Sequence, residues 1–288
     1  MIKQIRSEHS IPQLCQALEV SPSGFHAWIN APGSSPRRKE EARLRIEIKA
    51  AHKRTRETYG PERLQADLAE HGVLVGVHRI KRIRKELGLR CKQKKKFKAT
   101  TDSNHRLPVA ENLLNQAFKV EAPNRVWTTD ITYVHTDEGW LYLAGHKDLF
   151  TGEVVGYAMR ERMTKDLVIQ ALLRAVAAKR PGPGLIHHSD RGSQYCAERY
   201  RKLLDGFKMK ASMSRKGNCY DNAPIESFWG TLKNEALKHC RFSSRQEAMR
   251  TITEYIEIFY NRQRRQARLG YLSPAAYEQH YFKERLAA

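Results

Sequence analysis

The spacing of apolar residues changes near residue 124, and this change limits the folds open to the chain. Before it, apolar residues recur three and four positions apart, as they do in helices. After it come three runs rich in β-branched and aromatic residues, separated by turns at Gly139 and Gly152. The runs are residues 125–135, 140–150 and 153–160, and they are followed by a helix capped by Thr164 (to 179), a strand (185–189), a helix (194–206) and a strand (208–214). Three hairpin-linked strands with later helical crossovers predict an α/β fold whose mixed sheet is covered on both sides.

Two helix pairs are predicted before this change. Residues 11–18 and 22–29 flank a short turn in which Ser21 is the expected N-cap and Pro22 the first helical residue. This pattern is typical of a DNA-binding helix-turn-helix, although an ordinary helical hairpin has the same pattern. After a Pro-rich linker, residues 38–56 predict a longer helix.

The second helix pair, residues 61–70 and 77–87, ends in a strongly basic helix. Its apolar positions face a core, and its other faces carry Arg79, Lys81, Arg82, Arg84 and Lys85. Such a helix is suited to a DNA groove or to phosphates, and a solvated charged face explains the pattern equally well. Five lysines within residues 92–98 predict a flexible tether that touches phosphates.

The chain of 288 residues carries 52 Lys and Arg against 31 Asp and Glu, a formal charge of +21. Residues 1–100 contribute +13, residues 101–120 zero and residues 121–288 +8. Such an excess indicates nucleic acid or an acidic membrane surface as the partner. No apolar run approaches the roughly 20 residues of a membrane span, and no secretory signal is visible, so we expect a cytoplasmic protein.

Three acidic residues stand where solvation does not explain them. Asp130 lies in the middle of the first predicted strand, Asp190 ends the short fourth strand, and Glu226 lies in the first turn of a helix predicted over residues 224–239. Each has an ordinary explanation: a buried ion pair for Asp130, a helix cap for Asp190, and a favourable helix dipole for Glu226.

As a set, the three carboxylates can converge at one edge of the sheet. Hard divalent cations bind such oxygen ligands, and Mg²⁺ needs only a few of them beside water and phosphate. Two ions about 3.5–4 Å apart would clamp an in-line displacement at a phosphodiester. The acids therefore indicate a candidate site for two-metal phosphoryl transfer.

The sequence motifs around these acids resemble those of a known family. There are 59 residues between Asp130 and Asp190 and 35 between Asp190 and Glu226. The spacing is similar to that of retroviral integrases and related transposases. The sequence is closer still to the OrfB transposases of the insertion sequence three family. The motifs that carry this resemblance are residues 127–133 (WTTDITY), 187–195 (HHSDRGSQY), 212–218 (SMSRKGN), 221–229 (DNAPIESFW), 259–262 (FYNR) and 269–274 (LGYLSP). One departure from the family pattern is Gly145-His146, where two apolar residues are usual.

The resemblance implies a ribonuclease-H-like mixed sheet, the integrase catalytic core, with an N-terminal all-α helix-turn-helix region and C-terminal helices. It implies that Asp130, Asp190 and Glu226 are catalytic and bind two Mg²⁺ ions, which Mn²⁺ can replace. It implies strand cleavage by water, then strand transfer by a 3′-hydroxyl, without a covalent protein–DNA intermediate. Lys233, seven residues after Glu226 and on the same helical face, resembles the integrase lysine that contacts the DNA end.

We therefore predict a DNA-binding region over residues 1–100 with a basic linker to about 120. A catalytic core would follow over residues 121–240, and a helical basic tail over 241–288. In the tail we expect phosphate contacts from Arg262, Arg264 and Arg265, although a solvated charge run has the same pattern. Expected partners are DNA (terminal inverted repeats and target), further copies of the chain on DNA, and the OrfA product as partner or fusion. Two other functions stay open: a non-catalytic DNA-binding regulator of transposition, and a nuclease that only hydrolyses. In a bacterial cell we expect association with the nucleoid.

Overall fold

The structure is a computed structural model that describes residues 10–30, 36–92, 108–215 and 219–287. The first helix pair consists of α1 (Ile11–Ala17) and α2 (Pro22–Asn30). The hydroxyl of Ser21 accepts a hydrogen bond from the backbone N–H of Gly24 at 3.0 Å, so the predicted cap is confirmed. The predicted lysine tether falls on residues 92–98, and all of it after Lys92 lies outside the described residues.

The next three helices form a compact basic unit. They are α3 (Pro36–Arg54), α4 (Pro61–Glu70) and α5 (Val77–Glu86). Pro61 occupies the first turn of α4, where its missing N–H leaves no intrahelical bond unmade. Buried Leu44, Ile48, Leu64 and Ile80 fill the space between the helices. The apolar spacing of the sequence therefore predicted these helices to within about two residues at each end.

A five-stranded mixed sheet follows, as predicted. Its strands are β1 (Val126–Thr136), β2 (Gly139–Asp148), β3 (Val154–Arg160), β4 (Ile186–Ser189) and β5 (Lys210–Met213). They lie in the order β3-β2-β1-β4-β5. The first three strands are antiparallel neighbours, whereas β4 runs parallel to β1 and β5 parallel to β4. The hairpins and the two helical crossovers account for this mixture of directions.

Helices cover both faces of the sheet. On one face lie α6 (Lys165–Lys179), α7 (Ser193–Cys196) and α8 (Glu198–Gly206), which share a hydrophobic cluster with Trp127 and Ala144. Here α6 approaches β3 so closely that a Cβ on Gly156 would lie 2.4 Å from the backbone N of Ala175. On the other face lie α9 (Ala223–Leu232) and α10 (Arg245–Glu254), clustered with Leu141 and Leu143.

Two predicted helices differ from the observed ones, and a further helix near the C-terminus has an irregular end. The helix predicted over residues 194–206 is interrupted at Ala197, which is extended with ψ 134°. This break allows Tyr195 and Tyr200 to enter one core with ring centroids 5.6 Å apart. In a continuous helix, residues five positions apart would point about 140° away from each other. Similarly, α9 and α10 continue as π-helical turns, Lys233–Leu237 and Tyr255–Tyr260. The second of these wide turns buries both Tyr255 and Tyr260.

Thr164 precedes α6, but its side chain makes no capping hydrogen bond, so the predicted cap is wrong. None of the helices among the described residues is long and apolar enough to cross a membrane.

The C-terminal residues pack against the N-terminal helices. One hydrophobic cluster contains Ile48 of α3 and Ile83 of α5 together with Ile252 and Phe259 beyond β5. The buried Tyr59 hydroxyl accepts the backbone N–H of Arg265 at 2.6 Å and donates to the carbonyl of Gln263 at 3.2 Å. A final helix, α11 (Pro274–Ala287), contacts Phe150 through the rings of Tyr277 and Tyr281. The domain boundaries at residues 100, 120 and 240 stay predictions.

Candidate active site

Asp130 lies in the central strand β1. It is opposite Gly145 of β2 in the strand register. Its Oδ2 accepts a hydrogen bond from the indole Nε1 of Trp229 at 3.1 Å. Burial, then the negative charge of Asp190 and then that of Glu226, hold the pKa of Asp130 well above its ordinary value. The carboxyl group is therefore in a setting that penalises its charge.

Asp190 follows directly after β4, at the carboxyl end of that strand. Thr128 of β1 pairs with His188 of β4 in parallel register. Asp130 and Asp190 each lie two residues further along their chains, so they stand at the same level across the sheet. The Oδ1 of Asp190 accepts the backbone N–H of Gly192 at 2.9 Å. The acid therefore makes a turn contact within its own loop and stands beside the central strand, whereas the next helix, α7, begins after Gly192 without a side-chain cap.

Glu226 lies in the first turn of α9, as the sequence predicted. The start of this helix is attached to the sheet by two hydrogen bonds. The side-chain amide of Asn222 donates to the carbonyl of Thr129 at 3.0 Å, and the ammonium of Lys147 donates to the carbonyl of Pro224 at 2.9 Å. Desolvation, then the charge of Asp190, raise the pKa of Glu226. Glu226 thus stands within electrostatic reach of the two aspartates.

The three acids come from β1, the end of β4 and the start of α9; the charges of Asp190 and Glu226 act on Asp130, and that of Asp190 acts on Glu226. Among the described residues, no group of three or more His, Cys, Asp or Glu side chains is arranged so that it could hold a metal ion. By their chemistry the three carboxylates still suit a hard divalent cation, because a positive charge bound among them would relieve the repulsion between them.

Lys233 is brought to the same place. It begins the π-helical turn after α9, and its ammonium lies 5.0 Å from the centroid of the Tyr133 ring. Desolvation lowers the pKa of Lys233 to about 8, opposed by the attraction of Asp130. The structure therefore places this lysine within electrostatic reach of Asp130.

The basic residues of α5 have unequal surroundings. Arg79 and Arg82 form ion pairs with Glu40, Glu41 and Glu86. Lys81 and Lys85 are exposed. Arg84 is buried and donates to the sulfur of Cys91 at 3.2 Å. Only part of the predicted basic face is therefore open to an external anion.

The three arginines predicted to contact phosphate in the tail also differ in exposure. Arg262 is exposed. Arg264 is buried and makes two hydrogen bonds with the carboxylate of Glu235, at 2.8 and 2.7 Å. Arg265 pairs with Glu70 of α4 and donates to the carbonyl of Tyr271. Arg264 and Arg265 therefore make intramolecular contacts, whereas Arg262 is open to solvent.

Several residues that shape the site were not identified from the sequence. Asn222, Lys147 and Trp229 attach α9 to the sheet, and Asp221 anchors the loop before it by accepting hydrogen bonds from Asn112, Gln116 and Arg215. Burial raises the pKa of Asp221, but the hydrogen bonds from Arg215 and Gln116 outweigh it and hold this pKa below its ordinary value. The motif at residues 221–229 contains Asp221, Asn222 and Trp229, but the sequence pattern did not indicate what these residues do.

His146, part of the departure from the family pattern, is buried against His187 and Tyr200. Its Nε2 lies 3.1 Å from the Nε2 of His187, and the Tyr200 hydroxyl lies 2.9 Å from that same atom of His187. Burial lowers the pKa of His187 to about 3. These rings form a neutral polar cluster beneath the sheet, on the face covered by α6 and α8.

The mixed sheet and the site define an integrase core, and family models described as integrase core domain match residues 120–219 and 226–282. A model described as an HTH-like domain matches residues 38–97, which contain α4, α5 and most of α3. A 31 kDa protein of insertion element IS600 from Shigella sonnei is 62% identical over 93% of this chain and 98% of its own length. The transposase InsF for insertion sequence IS3A of Escherichia coli K12 is 39% identical over 96% of both chains. The chain belongs to the IS3 family of insertion-sequence transposases, with an integrase core and a helix-turn-helix domain, and the fold expected from the sequence is confirmed.

Among solved structures, the HTLV-2 integrase catalytic core domain in complex with magnesium (trimeric form) is similar at 16% identity. The alignment covers 56% of this chain and 99% of that one, with a TM-score of 0.44. A simian T-cell lymphotropic virus intasome in complex with a PP2A regulatory subunit is also similar, at 16% identity and a TM-score of 0.39 over 67% of this chain and 65% of that one.

Proposed function

We propose that this protein is a Mg²⁺-dependent transposase that cuts DNA strands at the ends of its element and joins them to a target. The observation that carries the proposal is the position of Asp130, Asp190 and Glu226 in the integrase core, where Asp190 acts electrostatically on both other acids and Glu226 acts on Asp130. Two bound Mg²⁺ ions, or Mn²⁺ in their place, would stabilise the charge on the attacking and leaving oxygens.

The residues of the chain supply the positions for this chemistry. Asp130, Asp190 and Glu226 would hold the two ions, and Asp130, on the central strand, is the acid we propose would be shared by both. Water is the proposed nucleophile for cleavage, and the released 3′-hydroxyl is the nucleophile for joining, so no protein side chain bonds covalently to DNA. Lys233 would bind a phosphate of the DNA end close to the carboxylates.

We propose that α5 and the exposed tail bind the rest of the DNA. Lys81, Lys85 and Arg262 are exposed and are the most direct phosphate contacts. Arg79 and Arg82 would contact phosphate by exchanging their glutamate partners for it. Arg84, Arg264 and Arg265 already serve buried or internal contacts, so we leave them out of the DNA interface.

The proposed substrates are the terminal inverted repeats of the element and a target DNA, which would place the protein with the bacterial nucleoid. Bringing two element ends together needs more than one active site, so we propose a homo-oligomer assembled on DNA. The OrfA product, as a partner or as part of a fusion, is the proposed source of additional DNA recognition.

One assay separates this proposal from its two alternatives. The full chain is incubated with Mg²⁺, labelled element-end DNA and a supercoiled plasmid, and the products are resolved on denaturing and native gels. A transposase yields nicked ends and end–plasmid joints. Binding without cleavage would indicate a regulator, and cleavage without joints would indicate a hydrolytic nuclease. Repeating the reaction with the OrfA product present tests whether the chain requires it.

A further inference from the structure

Trp229 connects two of the three acids. It lies on α9, three residues after Glu226, and its side chain is buried at 4% exposure. Its indole Nε1 donates to the Oδ2 of Asp130 at 3.1 Å. An indole N–H is a donor only and carries no charge. The contact therefore orients the Asp130 carboxylate without neutralising it, and it sets the separation between the helix of Glu226 and the strand of Asp130.

Gly145 provides the space for this indole. It is the register partner of Asp130 on the neighbouring strand β2. A Cβ at this position would lie 2.8 Å from Cη2 and 3.3 Å from Cζ2 of Trp229. The far edge of the ring is rigid and buried, so any side chain at 145 would push the whole indole away from the strand pair. The backbone of a strand accepts alanine, which means that the glycine is needed for space and not for its conformation.

We propose that Trp229 is a positioning residue that orients Asp130 for divalent-cation binding, and that Gly145 makes this position possible. The proposal rests on the function proposed above and adds to it a ligand-orienting pair outside the three acids. Groups that hydrogen-bond to metal ligands typically change metal affinity 10- to 100-fold when they are removed. A hydrogen bond to Asp130 from the helix that also carries Glu226 acts on two ligands together.

The test measures Mn²⁺ binding by the full chain without DNA, by the electron paramagnetic resonance signal of free Mn²⁺. Trp229→Phe keeps the ring packing and removes the donor, and Gly145→Ala keeps the donor and displaces the ring. The matched control is Trp127→Phe. Trp127 is also fully buried, lies three residues before Asp130 on the opposite face of β1, and donates its Nε1 to Asn124 at 3.2 Å. Thermal melting of each variant reports separately on folding.

We expect Mn²⁺ affinity to fall about 10- to 100-fold in Trp229→Phe and in Gly145→Ala. Trp127→Phe should bind Mn²⁺ as the wild type does, even if it melts earlier. Wild-type affinity in Trp229→Phe, or an equal loss in Trp127→Phe, would overturn the positioning role. Asp130→Asn distinguishes this failure from a failure of the proposed function. If the wild type binds no Mn²⁺, or Asp130→Asn binds it as well as the wild type, the metal assignment itself is wrong.

Discussion

Arg264 offers a sharp prediction, because its structure and its sequence pattern indicate different roles. The arginine run of the tail predicts a phosphate contact, yet the guanidinium of Arg264 is paired with Glu235. The side chains of the two residues are only 9% and 12% exposed. The Tyr255 hydroxyl donates a third hydrogen bond to the same carboxylate at 2.7 Å. Burial lowers the pKa of Arg264, but the hydrogen bonds and charge of Glu235 outweigh it and raise this pKa above its ordinary value.

Replacing Arg264 by Met removes one partner of a buried ion pair. The Glu235 carboxylate then loses two charge-assisted hydrogen bonds and keeps the one from Tyr255. Breaking a buried pair in this way costs about 3–5 kcal/mol of unfolding free energy. Replacing both partners by apolar residues, as in Arg264→Met with Glu235→Leu, removes the orphaned charge and should recover most of that loss.

The assay combines urea unfolding with DNA binding at several salt concentrations, and Arg262→Met is the matched control. We expect Arg264→Met to lower stability by the amount above and to leave the salt dependence of binding unchanged at temperatures where it is folded. Arg262→Met should keep wild-type stability and reduce the slope of log K against log salt by about 0.9, the loss of one phosphate contact. A stable Arg264→Met protein with a reduced salt slope would refute the reasoning.

Two further predictions concern stability. Burial, then the charges of Arg268 and Arg264, lower the pKa of Lys147 from 10.5 to about 7. Between pH 7 and 10.5 the lysine binds a proton more readily in the unfolded chain than in the folded one, so stability rises with pH. From pH 7 to 9 the wild type should gain about 2 kcal/mol of unfolding free energy that Lys147→Met does not gain. Equal pH profiles of the two proteins would contradict this. Tyr59→Phe leaves the backbone N–H of Arg265 and the carbonyl of Gln263 without their buried partner. It should therefore lower the urea-unfolding free energy by about 1–3 kcal/mol, and a change below about 0.5 would be the opposing result.

The features that the sequence predicted well depend on local patterns. Strand alternation and turn glycines gave the three-stranded meander, and helix periodicity located α3 to α5. The three acids could be singled out because a charge in a strand or at a strand end needs an explanation that its neighbours do not supply. Asp130 and Asp190 come together through the parallel pairing of β1 and β4, and α9, attached to the sheet through Asn222, brings Glu226 to them.

The features that were missed depend on contacts between distant residues. Arg264 and Glu235 are 29 residues apart, and Arg265 and Glu70 are 195 apart, so a run of arginines gives no sign of which ones are internally paired. The π-helical turn at Tyr255 arises because several large side chains on one segment must enter one core. Similarly, the contact of Trp229 with Asp130 needs the empty space at Gly145, and that space is visible only once both strands are placed.

The central claim is that Asp130, Asp190 and Glu226 together carry the chemistry, and single-turnover cleavage of element-end DNA in Mg²⁺ tests it most directly. The variants are Asp130→Asn, Asp190→Asn and Glu226→Gln, with Asp205→Asn on the exposed surface of α8 as the control. Each of the three should still bind DNA but cleave at least about a thousandfold more slowly, since about 4 kcal/mol of lost transition-state stabilisation corresponds to three factors of ten. The control should cleave at the wild-type rate. Cleavage within tenfold of the wild type by any one of the three variants would contradict the account.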